Sequence, residues 1–251
     1  MSAFQIRISR RSFLQAAGLT ALAGGLAACG STAQSTAPSA SAPAYSLEDA
    51  VKAEFTDSGI TLSPENASGC TVEGTALTIT AAGTYAVSGS CADGSIQVEK
   101  GVEDVTLVLD GLTLTSTTTA PLVCGKNSGV TLAAADGTEN ALTDTEANNK
   151  DNANASEDAE SAVVKCKDGS QVVLCGTGTL NLHAVGKNGI KSGTTEEDRD
   201  ASLTIRALTL NIDAPVNDAI NAEQQLNVES GTLNIAAGDD AVHCDLYLNV
   251  G

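Results

Sequence analysis

The sequence predicts an all-β chain wound as a parallel β-helix, a solenoid of about 22–23 residues per coil, and three observations predict it. Pairs of aliphatic residues flanking one polar residue recur at Leu107/Leu109, Val130/Leu132, Val172/Leu174, Leu203/Ile205, Leu226/Val228 and Leu248/Val250. Two more aliphatic columns follow in fixed order: Leu114, Leu180/Leu182, Leu210/Ile212 and Leu233/Ile235, then Leu122, Val164, Ile190, Ile220 and Val242. Clusters of Gly, Asn and Asp separate these short alternating segments, as turns between strands do. Steps between first-column pairs are 23, 42, 31, 23 and 22 residues, so the basic period carries two insertions. Three strands per period, each stacked on its like, require parallel pairing. Hairpins would need tight two-residue turns and would leave the three-column order unexplained.

Residues 1–28 read as an export signal rather than as fold. Ser9-Arg10-Arg11-Ser12-Phe13-Leu14 resembles the twin-arginine motif, and the apolar stretch from Phe13 to Ala28 is too short and too interrupted for a stable membrane span. It ends in Leu26-Ala27-Ala28-Cys29-Gly30, which resembles a bacterial lipobox, so Cys29 is the expected lipid-anchor residue and the mature N-terminus. Residues 29–45, rich in Ser, Thr, Ala and Pro and uncharged, read as a flexible tether holding the domain 46–251 off the membrane. The expected localisation is extracytoplasmic, on the cell membrane through that lipid. The last segment, Leu248-Asn249-Val250-Gly251, falls on a first-column strand without a polar cap, so the solenoid is expected to be incomplete at this end.

The chain has 251 residues with 13 Lys+Arg against 31 Asp+Glu, a formal charge of −18. Removing the signal deletes three Arg and no acid and brings the balance to −21. Such a charge repels nucleic acid and anionic membrane surfaces. Only Phe55, Tyr45, Tyr85 and Tyr247 supply aromatic rings beyond the signal, too few for stacking platforms. The core must be aliphatic.

Two residues after the third column come Cys124, Cys166, Ser192, Ala222 and Cys244, one inward column of small side chains. Buried thiols serving as small hydrophobes account for it, although Cys124 and Cys166 fall on neighbouring coils and a bridge there stays open. Cys70 and Cys91 flank the first recognisable turn and are the better disulfide candidates in an exported protein. Pairing among these and Cys175 stays undecided. No cysteine spacing resembles a zinc site.

Several stretches resemble a family of secreted bacterial carbohydrate-binding domains: residues 78–89 (TITAAGTYAVSG), 105–111 (VTLVLDG), 136–144 (DGTENALTD) and 176–180 (GTGTL), with Asn188-Gly189-Ile190 and Asp218-Ala219-Ile220 as degenerate Asp-Gly-Ile turns. The resemblance covers about residues 60–251. It implies a right-handed parallel β-helix related to pectate lyases, and binding of calcium and of acidic or crystalline plant polysaccharide. Asn at 188, Ala at 219 and Ala at 241 depart from the family pattern.

Asn188, Asp218 and Asp240 each lie two residues before a third-column aliphatic and should stack, with Asp239 beside the last and Glu223 and Asp245 forming a second acidic row. Carboxylates about 4.8 Å apart repel unless a cation separates them. Calcium suits such oxygen donors, and turn-making by Asp and Asn is the alternative. Asn181, Asn211 and Asn234 lie between inward aliphatics and should form an outward column of amides, pairing with itself or presenting donors and acceptors to a sugar chain; Asn227 and Asn249 repeat this on another sheet. The acidic stretches Glu146–Glu160 and Gly193–Asp200 read as solvated loops bordering a binding face. The function expected is calcium-dependent binding of polysaccharide, most plausibly uronate-containing and otherwise cellulose, without catalytic residues. A structural or adhesive solenoid is the alternative. A lyase is the enzymatic one, with Arg206 or Arg199 as base, since His183 and His243 have no paired nucleophile.

Overall fold

Alternating aliphatic and polar residues become strands because one face of each can then bury its side chains while the other stays polar. The computed structural model describes residues 5–8 and 45–251, and these described residues are all-β apart from one 3-10 turn, Glu146–Asn148. Every pairing between two named strands that both begin at or after Ala76 is parallel. Each repeat of the three columns is one rung of the stack.

The first column stacks Gly129–Ala134, Gln171–Gly176, Ser202–Ile205, Gln225–Val228 and Tyr247–Val250 on the first half of Val105–Thr115. The second stacks Glu139–Thr143, Thr179–His183, Thr209–Ala214 and Thr232–Ala237 on its second half, so this one long strand joins two columns into a 14-stranded sheet. The third column runs from Ser95–Val98 through Leu122–Cys124, Ala162–Cys166, Asn188–Ser192 and Ile220–Ala222 to Val242–Cys244, in an eight-stranded sheet.

One register differs from the expectation. Leu132 lies opposite Leu107 and Val130 opposite Val105, so Leu107/Leu109 is not the partner of Val130/Leu132. A shift of two residues keeps every side chain on its own face, so the aliphatic pattern fits either register equally. The structure also supplies a rung that the second column lacked. Leu142 lies between Leu114 and Leu182, and Asn140 takes the inward position next to Leu180.

The interior between the columns is a single aliphatic cluster, from Phe55 and Leu77 at one end to Leu233 and Ile235 near the other. Cys124, Cys166, Ser192, Ala222 and Cys244 stack in register, as the small-residue column requires. All six described cysteines are unbridged. The expected bridge between Cys70 and Cys91 is not formed; the two stand on different sheets, Cys70 opposite Ile79 and Cys91 opposite Leu114. At Gly176, where the chain turns from the first column to the second, φ is +111° and an added Cβ would collide with the Ala134 carbonyl of the preceding rung. Only glycine permits that approach.

The two ends differ. Two antiparallel pairs, Val51–Thr56 with Gly59–Ser63 and Cys70–Glu73 with Ala76–Ile79, close the stack where it begins, covering strand edges as a solenoid cap does. At the other end Leu246, Tyr247, Leu248 and Val250 are more than half exposed. Gln5–Ile8 run parallel to Thr232–Ile235. The twin-arginine motif, Cys29 and nearly all of the tether lie outside the described residues.

Candidate functional site

Three outward faces surround the stack, one per column. On the first, Ala86, Val108, Ala133 and Cys175 form an apolar strip over which Ala50, Leu47 and Tyr45 pack, so part of this face is a second small core. Burial there pushes the Cys175 thiol up to about 11, a value at which it stays protonated and inert.

The second face carries a groove of ≈ 560 Å³, open among the described residues and lined along its length by Asn181, Asn211 and Asn234. Parallel register places these amides side by side. Asn234 Nδ2 donates to Asn211 Oδ1 at 2.7 Å, Asn211 Nδ2 to Asn181 Oδ1 at 2.7 Å, and Asn181 Nδ2 to the Asn140 carbonyl at 3.2 Å. The ladder thus pairs with itself, yet it uses one donor and one acceptor position of Asn211 and leaves a second N–H and a second lone pair. Thr179, Thr209 and Thr232 run along one side of the amide row. On the other stand His183 and Asp213, whose Nδ1 and Oδ2 are 3.2 Å apart. The volume falls in the usual range for ligand sites.

Asn140 is a contributor that the sequence reading missed. It is buried at the inward position, accepts the amides of Gly111 and Leu112 at 2.9 Å each, and donates to Thr138 Oγ1 and the Thr179 carbonyl. It thereby satisfies backbone groups at the bend of the long strand and fixes the rung on which the ladder ends. Its signal in the sequence is an amide where the column calls for an aliphatic.

The six residues expected to hold calcium do not gather around one point. Asn188 and Asp218 do stack at a turn, but Asn188 Nδ2 donates to the Ser161 carbonyl and its Oδ1 accepts from Asn217. Asp218 accepts the Asp240 amide with Oδ1 and the Asn221 amide with Oδ2. Glu223 pairs with Lys191 at 3.0 Å, while Asp240 and Asp245 flank His243 at 3.5 and 2.8 Å. Asp239 is exposed, and its backbone amide bonds the Asn217 carbonyl. Among the described residues no group of three or more His, Cys, Asp and Glu is placed to hold a metal ion. Turn-making hydrogen bonds engage Asn188 and Asp218, and ion pairs engage one oxygen each of Glu223, Asp240 and Asp245, as the turn-making alternative expects.

The loops are tied rather than free. Asn148 donates to Asp144 and to the Ala162 carbonyl, Asn149 to the Gly186 carbonyl, and Asp144 accepts the Gly186 amide. Burial, opposed by these hydrogen bonds, raises the Asp144 carboxyl above the usual range. In the 193–200 loop, Glu196 bonds Lys126 at 3.1 Å and Arg199 pairs with Glu103. Arg206, the residue considered as a lyase base, lies 3.8 Å from Glu229, with its backbone amide on the first column. That is a different column from the one bearing the groove.

A family pattern described as carbohydrate-binding domain-containing protein matches residues 73–247. A carbohydrate-binding domain-containing protein of Acetivibrio thermocellus (strain ATCC 27405) is 31% identical over 144 residues, 57% of this chain and 49% of the relative. The chain therefore spans about half the length of that relative. A solved polysaccharide lyase-like protein from C. thermocellum, a gadolinium derivative, superimposes with a TM-score of 0.51 at 23% identity, over 80% of this chain and 97% of that one. At that identity the likeness concerns the fold. The family match takes in all three columns and the whole amide ladder, and the chain belongs to the family of carbohydrate-binding domain-containing proteins.

Proposed function

We propose that this chain is a non-catalytic carbohydrate-binding protein with a right-handed parallel β-helix fold, and that a polysaccharide lies along the groove of Asn181, Asn211 and Asn234. The observation that carries the reading is the self-paired amide ladder in an open groove. Self-pairing fixes the amides in one orientation before any ligand arrives, which lowers the cost of ordering them on binding. The unused donor and acceptor positions then repeat at about 4.8 Å along the stack, and sugar hydroxyls both donate and accept. With Asp213 as its charged wall and His183 beside it, this groove suits a neutral chain better than a carboxylated one.

A replacement of Asn211 by Leu removes both ladder bonds at the centre. It should weaken binding of a neutral glucan such as cellohexaose by about tenfold or more, about 1.4 kcal/mol. Unchanged affinity in a folded variant sinks the groove. Uronate and calcium enter as a second reading, favoured by the charge of −21 on the proposed mature chain, because a polyacid holds a polyanion through bridging cations. That reading requires chelation to abolish polygalacturonate binding. We further propose twin-arginine export, lipidation at Cys29, and a tether over 29–45 carrying the domain 46–251. Palmitate labelling that persists in Cys29→Ala would refute the anchor.

A further inference from the structure

The third outward face has chemistry that the groove lacks. Lys165 and Lys191 occupy adjacent rungs, each one residue after a third-column aliphatic, and the row continues through Asn221 to His243. Lys150, Lys167 and Lys187 belong to the same region, so five of the 13 Lys and Arg residues of an acidic chain collect here.

Four of the five have a carboxylate. Glu160 pairs with Lys150 at 3.7 Å and Lys167 at 2.7 Å, Asp151 with Lys187, and Glu223 with Lys191 at 3.0 Å. Lys165 has no ion pair among the described residues, although it is largely buried between the buried Val123 on one side and Lys191 on the other. Burial first and the Lys191 charge second hold its ammonium below the ordinary lysine range, against the weaker pull of Cys166, Glu223 and Glu160. An ammonium partly withdrawn from water without a counter-charge is unfavourable, and an anion bridging Lys165 and Lys191 would remove that cost.

We infer that Lys165 and Lys191 form a second binding site, for an oxyanion carried on an extended polysaccharide running along the third column. A carboxylate and a sulfate ester share the required chemistry. The row follows the stacking axis, so an extended polymer fits it better than a compact ligand. Glu223 lies 3.0 Å from Lys191, so the anion would take its place there, while acidic residues beyond the screening length of about 8 Å at physiological ionic strength act weakly. No metal ion takes part, unlike in cation-bridged binding.

The inference is independent of the groove, and its test separates the two. Binding of polygalacturonate, of dextran sulfate and of cellohexaose is measured in the presence of chelator for the wild-type chain, Lys165→Gln, Lys191→Gln and Lys165→Arg. Expected is a loss of about tenfold or more for at least one polyanion in both Gln variants, with retention in Lys165→Arg and unchanged cellohexaose binding. The polyanion affected identifies carboxylate or sulfate. Wild-type binding to neither polyanion under chelation, or polyanion binding equal in wild type and both Gln variants, overturns the site. Failure of cellohexaose binding alone counts against the groove and leaves the lysine site standing.

Discussion

The outward faces of the second and third columns stand on the same kind of interior. Leu182, Ile212 and Ile235 lie under the amide row, and Val164, Ile190 and Ile220 under the lysine row. All but Ile212, Ile235 and Leu182 are fully buried, and those three are 2–3% exposed. Above this common floor the faces diverge. The amides satisfy one another in an uncharged line, whereas the lysines repel along theirs and depend on side-chain carboxylates from the insertion and from Glu223. A parallel stack repeats each residue type at a fixed interval, so it strengthens a pattern that can pair with itself and penalises one that cannot. Asparagine is both donor and acceptor and needs no partner from elsewhere. Lysine is donor only, and the face it builds remains open to an anion.

The largest expected effect tests the shared floor. Leu210→Ala, in the fully buried position beneath the Thr and Asn rows, should cost about 2–5 kcal/mol, and Ile190→Ala beneath the lysine row a similar amount. Denaturant unfolding checks both. A markedly smaller loss on one side would break the picture of a single continuous interior. An intermediate effect separates the faces themselves. A double-mutant cycle of Asn181→Ala and Asn211→Ala should give a coupling of about 1 kcal/mol for the amide bond between them, and additivity would mean that the ladder is not formed in solution. Lys165→Gln should leave stability equal or higher, because it removes an unpaired ammonium.

The smallest effect concerns the last residue of the lysine row. The Asp245 hydrogen bond, then that of Asp240, raises the His243 imidazole above 6.5. Its stabilising contribution is therefore complete below about pH 6.5 and fades as pH rises through the raised value. The chain has two histidines, so NMR titration can follow each. A His243 midpoint at or below 6.5, or no fall in Asp245→Asn, would contradict the pairing.

Much of this architecture was legible in the residues. Leu122, Val164, Ile190, Ile220 and Val242 stack as their spacing requires, and Asn181, Asn211 and Asn234 emerge on one outward face. The same spacing contained the lysine row, since Lys165 and Lys191 each follow a column aliphatic by one position. The excess of acid around it is the stronger signal in the sequence and points to cations instead. Asp218 illustrates how much of the acidic column spacing leaves open. Spacing places a carboxylate at a turn, but which hydrogen atoms its oxygens meet depends on Asn221 beside it and on Asp240 from the next rung.

Periodicity by itself determined the three columns, their order, the inward small-residue column and the aliphatic core, because side-chain alternation and a constant repeat leave few other ways to bury that many aliphatic residues. Only the tertiary structure decided the register of Val105 against Val130, the inward place of Asn140, the separation of Cys70 from Cys91, and which polar side chains are already satisfied. These depend on contacts between neighbouring rungs. A shift of two residues or a single hydrogen bond across a turn changes those contacts while leaving the pattern along the chain the same.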